Sequence, residues 1–164
     1  MEPTFNFPAG LSKAERYGQF LLQFRPLIAD EHECVSLLAN TSAALKEAFG
    51  FFWVGFYLVK DEDWLTLGPF QGSVACYRIR KGRGVCGTAW AQAASQVVPD
   101  VDQFPGHIAC SSLSRSEIVV PLFTADGHVW GVLDIDSDRP DAFDETDRHY
   151  LEQLCQGISE AVFS

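Results

Sequence analysis

The sequence predicts an α+β fold, a mostly antiparallel central sheet with helices packed on it. Two observations carry this. The chain opens with two stretches whose apolar residues recur at helical spacing and closes with a third, and between them the period changes to the alternation of strands. The length and balance agree: 164 residues can bury a sizeable core, and an apolar share of 47% against a charged share of 21% argues against disorder and repeat arrays. A single domain over residues 1–164 is expected.

Residues 12–25 read as an amphipathic helix with Ser12 as its N-cap. A second helix is predicted over 31–49. Cys34, Leu38, Leu45 and Phe49 share one face, Thr41 interrupts it, and Gly50 stops the helix. F-F-W-V-G-F-Y-L (51–58) is an aromatic strand, K-D-E-D (60–63) a turn, and W-L-T-L (64–67) the returning strand. V-A-C-Y-R-I-R (74–80) reads as a third strand. G-R-G-V-C-G-T-A-W-A-Q-A-A (82–94) is a glycine-rich entry into a short helix, and S-Q-V-V-P-D-V (95–101) is an extended piece. A Ser-rich loop follows. E-I-V-V-P-L-F (117–123) and H-V-W-G-V-L-D-I-D (128–136) are strands joined by a hairpin turn at Asp126-Gly127. Asp144 caps a last helix through residue 163, with Leu151, Leu154, Cys155, Ile158 and Val162 as its apolar stripe.

Twelve basic residues face twenty-two acidic ones, a net charge of −10, so phosphate backbones and anionic lipid are repelled and nucleic acid is not an expected partner. Residues 1–15 carry prolines and charges but no secretory apolar segment, and no window approaches a membrane span. A cytoplasmic location is expected. There five cysteines stay reduced at rest, and a pattern among them points to metal or redox chemistry more than to a stable disulfide frame.

Alternation sorts the strand residues by face. In 51–58, Phe52, Val54, Phe56 and Leu58 are core, while Phe51, Trp53, Gly55 and Tyr57 face the other way. Gly55 between two large rings reads as room for a ligand, with Trp53 and Tyr57 as the wall of a pocket. In 128–136, Trp130, Val132, Asp134 and Asp136 share a face, and the hairpin brings Glu117 to the end that carries the two aspartates. Three carboxylates are thus expected at one edge of the sheet. Such a cluster binds a cation or holds a proton, and beside an aromatic wall an organic ammonium is its natural guest.

Cys34 and Cys155 lie on apolar helix faces and read as small hydrophobes. Cys76 in a strand, Cys86 at a glycine turn into a helix and Cys110 on the loop are placed for an attacking thiol with a resolving partner. Zinc is the competing reading, through Cys76-x9-Cys86-x20-His107-x2-Cys110, but the close C-x2-C pairs of structural zinc sites are missing and no metal is expected. His107 is given no role.

G-R-G-V-C-G-T-A, V-V-P-D-V, F-P-G-H-I-A-C, S-E-I-V-V-P-L and G-V-L-D-I-D-S, in this order and spacing, closely resemble the free methionine-(R)-sulfoxide reductases, enzymes built on a GAF domain. The resemblance runs from about residue 15 to 160. It implies a GAF-like catalytic domain that reduces free methionine (R)-sulfoxide to methionine with no bound cofactor. It implies that Cys110 is the attacking thiol, with Cys76 as first resolving thiol and Cys86 the other thiol. Trp53 and Tyr57 would enclose the methyl end of the sulfoxide, and Glu117, Asp134 and Asp136 would form the acidic part of the pocket. Glu117 is the candidate proton donor. Thioredoxin is the implied external reductant, and a homodimer is expected at the level of the family. Ser111 departs from the aspartate expected after the cysteine in many relatives. The alternative reading is a non-catalytic GAF module that binds a small ligand or senses oxidation.

Overall fold

Reciprocal capping boxes fix where two of the helices start. Ser12 accepts from the Glu15 amide and the Glu15 carboxylate accepts from the Ser12 amide, both at 3.1 Å, opening α1 (Lys13–Ile28). Asp144 and Asp147 do the same for α4 (Glu145–Phe163). These elements belong to a computed structural model that describes residues 5–108 and 110–164. α1 runs past the predicted end at residue 25, through Pro26, because Ile28 is still buried in the core. α2 (Cys34–Phe49) starts later than residue 31 and stops where Gly50 takes φ +66° and donates to the Lys46 carbonyl. Thr41, the polar interruption, is buried with its hydroxyl donated to the Leu37 carbonyl at 2.7 Å.

Six antiparallel strands form one sheet in the order β3-β2-β1-β6-β5-β4. They are β1 (Trp53–Val59), β2 (Trp64–Gln71), β3 (Arg78–Arg80), β4 (Gln96–Val98), β5 (Ser116–Phe123) and β6 (Val129–Ser137). α1, α2 and α4 cover one face around Phe20, Leu38, Leu45, Val54, Phe56, Leu133, Ile135, Leu151 and Ile158. α3 (Gly84–Gln92) lies on the other face, over Leu65, Val119 and Val132. This is the predicted α+β arrangement. Among the described residues no helix is long and apolar enough to cross a membrane.

Four expectations change. The third strand shrinks from 74–80 to Arg78–Arg80, so Cys76 sits in a loop rather than a strand. The loop's carbonyls go to side chains instead of a ladder: the Trp53 indole donates to Ser73 and the Tyr57 hydroxyl to Cys76. Face assignment also inverts at 51–52, where Phe51 joins the helical core and Phe52 the opposite cluster. Both precede β1, and Lys46 draws their carbonyls toward α2. Trp130 was expected beside Asp134 but packs toward the helices, donating to Ser159 at 2.9 Å. A register shift between Leu122 and Phe123 breaks the alternation there. Gly55 gives room to a ring rather than a ligand, because a Cβ there would strike Phe70, which stacks on Trp53 at 5.2 Å.

Candidate active site

The register of β5 and β6 sets Glu117 opposite Asp136, and Asp134 lies two residues further into the sheet. The three carboxylates therefore converge on central strands rather than at an edge. Glu117 and Asp134 are each only 6% exposed, and Asp136 is half-buried. One buried oxygen of Asp134, Oδ1, has no hydrogen-bond partner. Such an environment disfavours charge. Burial, with Asp136 nearby, pushes the Glu117 carboxyl up to about 8. Burial and Glu117 push Asp134 well above the usual range, and burial and Asp134 do the same for Asp136.

Cys86 enters from the first turn of α3, and its sulfur, a Glu117 oxygen and an Asp134 oxygen lie within 4.8 Å of one another. The sequence placed this thiol at a helix start that would favour a thiolate. Burial, reinforced by Asp134 and Glu117, instead pushes it well up, so Cys86 is a neutral thiol. One thiol and two carboxylates could chelate a cation, and the same carboxylates suit an organic ammonium. The zinc set drawn from the sequence is not assembled, because two of its four donors are consumed by a Cys76–Cys110 disulfide.

That disulfide brings the Cα atoms of Cys76 and Cys110 to 5.6 Å and closes one side of a cleft. Trp53 and Tyr57 wall the cleft as predicted, their polar tips spent at 3.0 and 2.9 Å on the loop that carries Cys76. The floor is Glu117, Asp134, Asp136 and Cys86. All eight residues singled out from the sequence thus line one cleft or border it through the disulfide.

The sequence missed His107. Its Nε2 lies 3.6 Å from Glu117 Oε2, too long for a hydrogen bond but within reach of one after a small shift. Burial lowers the His107 pKa, opposed by the charge of Asp102. Ser114, buried in the lining, was also missed. The only sequence signal for either was proximity to Cys110, which cannot tell a lining residue from a solvated one. Ser111 lines the cleft too, and its hydroxyl accepts from the Leu113 amide at 3.3 Å.

The fold and cleft define a class that comparison with known proteins makes definite. Residues 29–162 match the family model of the GAF domain. The chain is 59% identical over 143 residues to GAF domain-containing protein A of Dictyostelium discoideum, covering 87% of this chain and 90% of the relative. It is 48% identical over 153 residues to the free methionine-R-sulfoxide reductase of Escherichia coli (strain K12), covering 93% and 92%. The solved structure of free methionine-R-sulfoxide reductase from Neisseria meningitidis, in complex with its substrate, is similar with a TM-score of 0.92 at 56% identity, covering 97% of this chain and 95% of that one. The chain belongs to the GAF-domain family of free methionine-R-sulfoxide reductases.

Proposed function

We propose that this chain reduces free L-methionine (R)-sulfoxide to L-methionine through a cysteine sulfenic acid and an intramolecular disulfide. The observation that carries this is a cysteine pair joined beside three carboxylates, two of them buried, and an aromatic wall. The Cys110 thiolate attacks the sulfoxide sulfur, a proton reaches the oxygen, and methionine leaves with Cys110 as the sulfenic acid. The Cys76 thiol then displaces water from that sulfenic acid to form the disulfide. Thioredoxin supplies two electrons and two protons to restore both thiols. No cofactor is held in this reading.

Glu117 is the proposed proton donor, and a carboxyl held up to about 8 keeps its proton at neutral pH. Asp134 and Asp136, with Glu117, hold the substrate's ammonium, and the unpartnered Asp134 oxygen favours a donor arriving with the ligand. A methionine sulfoxide residue within a peptide has no such ammonium and leaves these acids unpaired, which is the basis of preference for the free amino acid. Trp53 and Tyr57 receive the methyl end. Cys86 stays a thiol under the carboxylates. Residues 1–164 act as one catalytic domain, in the cytoplasm and as a homodimer.

The test supplies thioredoxin, its reductase and NADPH with free methionine (R)-sulfoxide, the (S) epimer or a sulfoxide peptide. NADPH loss with the first alone is expected. Absence of turnover with all three would leave a ligand-binding module.

A further inference from the structure

An ammonium engages the acids of the cleft and leaves Cys86 without a task. Cys86 is as buried as Cys155, 3% against 2% exposed, but the two thiols keep different company. Cys155 belongs to the apolar core shared by α1, α2 and α4. Cys86 stands in the first turn of α3, with its sulfur, a Glu117 oxygen and an Asp134 oxygen all within 4.8 Å of one another. Glu117 and Asp134 are buried as well, and Asp134 keeps its Oδ1 without a hydrogen-bond partner among the described residues. All three side chains line the cleft, which gives a small ion its way in.

Three atoms so placed share a point within about 2.8 Å of each, so an ion there needs each donor to close by less than about 1 Å to reach ordinary zinc bond lengths. Beyond them, His107 Nε2 stands 3.6 Å from Glu117 Oε2, and Asp136 lies opposite Glu117 across β5 and β6, so a fourth donor is at hand. The donor types select the ion. A thiolate among carboxylates suits zinc and its borderline neighbours, whereas calcium and magnesium take shells of oxygen alone.

We propose that Cys86, Glu117 and Asp134 form an inhibitory site for zinc, or a like divalent ion, at the floor of the cleft. Its effect, though not its binding, rests on the reductase reading above. The ion takes the carboxylates that receive the substrate's ammonium and the Glu117 oxygen that carries the transferable proton. Metal and free methionine sulfoxide therefore exclude each other. Coordination forms bonds from the Cys86 sulfur and from an oxygen of each acid. The thiol proton, with any proton on the two carboxyls, passes to solvent, and no electrons move. Neither Cys76 nor Cys110 is a ligand, so the site is present in the disulfide form.

That form is the one to test, because its free thiols are Cys34, Cys86 and Cys155. Titration with cobalt(II), standing in for zinc, should bind an equimolar amount and give a near-ultraviolet thiolate-to-cobalt charge-transfer band. Cys86→Ser should abolish the band and Cys34→Ser should keep it. Should Cys86→Ser not fold, Glu117→Gln decides, with cobalt binding expected to weaken about tenfold or more. Zinc should displace the cobalt, and magnesium and calcium should not. Saturating free methionine, which carries the same ammonium, should weaken cobalt binding about tenfold or more. No band in the parent, or a band and affinity unchanged in the variants of Cys86 and Glu117, would overturn the metal site. A cobalt affinity untouched by methionine would overturn the blockade. Failure of the reductase reading shows separately, as metal-free protein that does not turn over free methionine (R)-sulfoxide.

Discussion

Two buried aspartates occupy the two faces of the same sheet, and only one has its needs met. Asp147, among the helices, accepts the Tyr17 hydroxyl at 2.6 Å and the Lys13 ammonium at 2.7 Å, and also caps its own helix. Asp134, beneath α3, keeps a buried oxygen with no partner and two more carboxyls as neighbours. A buried carboxylate given its cation from within ties α1 to α4. A buried carboxylate left without one depends on something from outside. The contrast separates a residue that holds the fold from one held ready by it.

The sharpest test of this division is Cys110→Ser, for which turnover should fall to background while the melting temperature of the reduced protein stays that of the parent. Asp147→Ala should do the reverse, costing about 3 kcal/mol in urea unfolding and leaving turnover per folded molecule unchanged. Asp134→Asn removes a carboxyl whose charged form the site disfavours and should raise stability at pH 8 while lowering kcat/KM about a hundredfold. Equal losses of stability in these two aspartate variants would break the distinction.

Glu117→Gln sharpens it through pH. Its folded pKa, about 8, lies above the unfolded carboxylate value, so the folded form holds the proton more tightly. The stability this contributes is present below about pH 4 and is lost as pH rises through about 8. Glutamine abolishes that loss, so the variant should unfold at higher urea than the parent at pH 9 and at nearly the same urea at pH 4. Turnover should fall about a hundredfold and lose its dependence on a group near pH 8. The smallest effect expected is from Ser12→Ala, about 1 kcal/mol of stability and no change in kcat.

Much of this was legible in the sequence because period and capping are local. Ser12, Gly50 and Asp144 mark helix ends by chemistry contained within a turn. The hairpin at Asp126-Gly127 was enough to bring Glu117 to Asp136. What escaped depended on contacts between distant segments. Gly55 looked open until Phe70 filled it, and Trp130 changed face at a bulge the alternation could not show. Residues 74–77 had the apolar character of a strand, but Trp53, Tyr57 and Cys110 hold that loop in a different path. His107 was given no role for the same reason, since its proximity to Glu117 is a tertiary contact that the sequence does not display.

The Cys76–Cys110 bond spans 34 residues of sequence. Closing a loop of that size restricts the unfolded chain enough to favour the native state by about 4 kcal/mol. The enzyme's idle form is therefore its hardier form. In the proposed cycle, molecules without a reductant accumulate in this cross-linked state, and reduction returns them to a less stable one. Calorimetry of the oxidised and reduced forms should show the oxidised one melting higher.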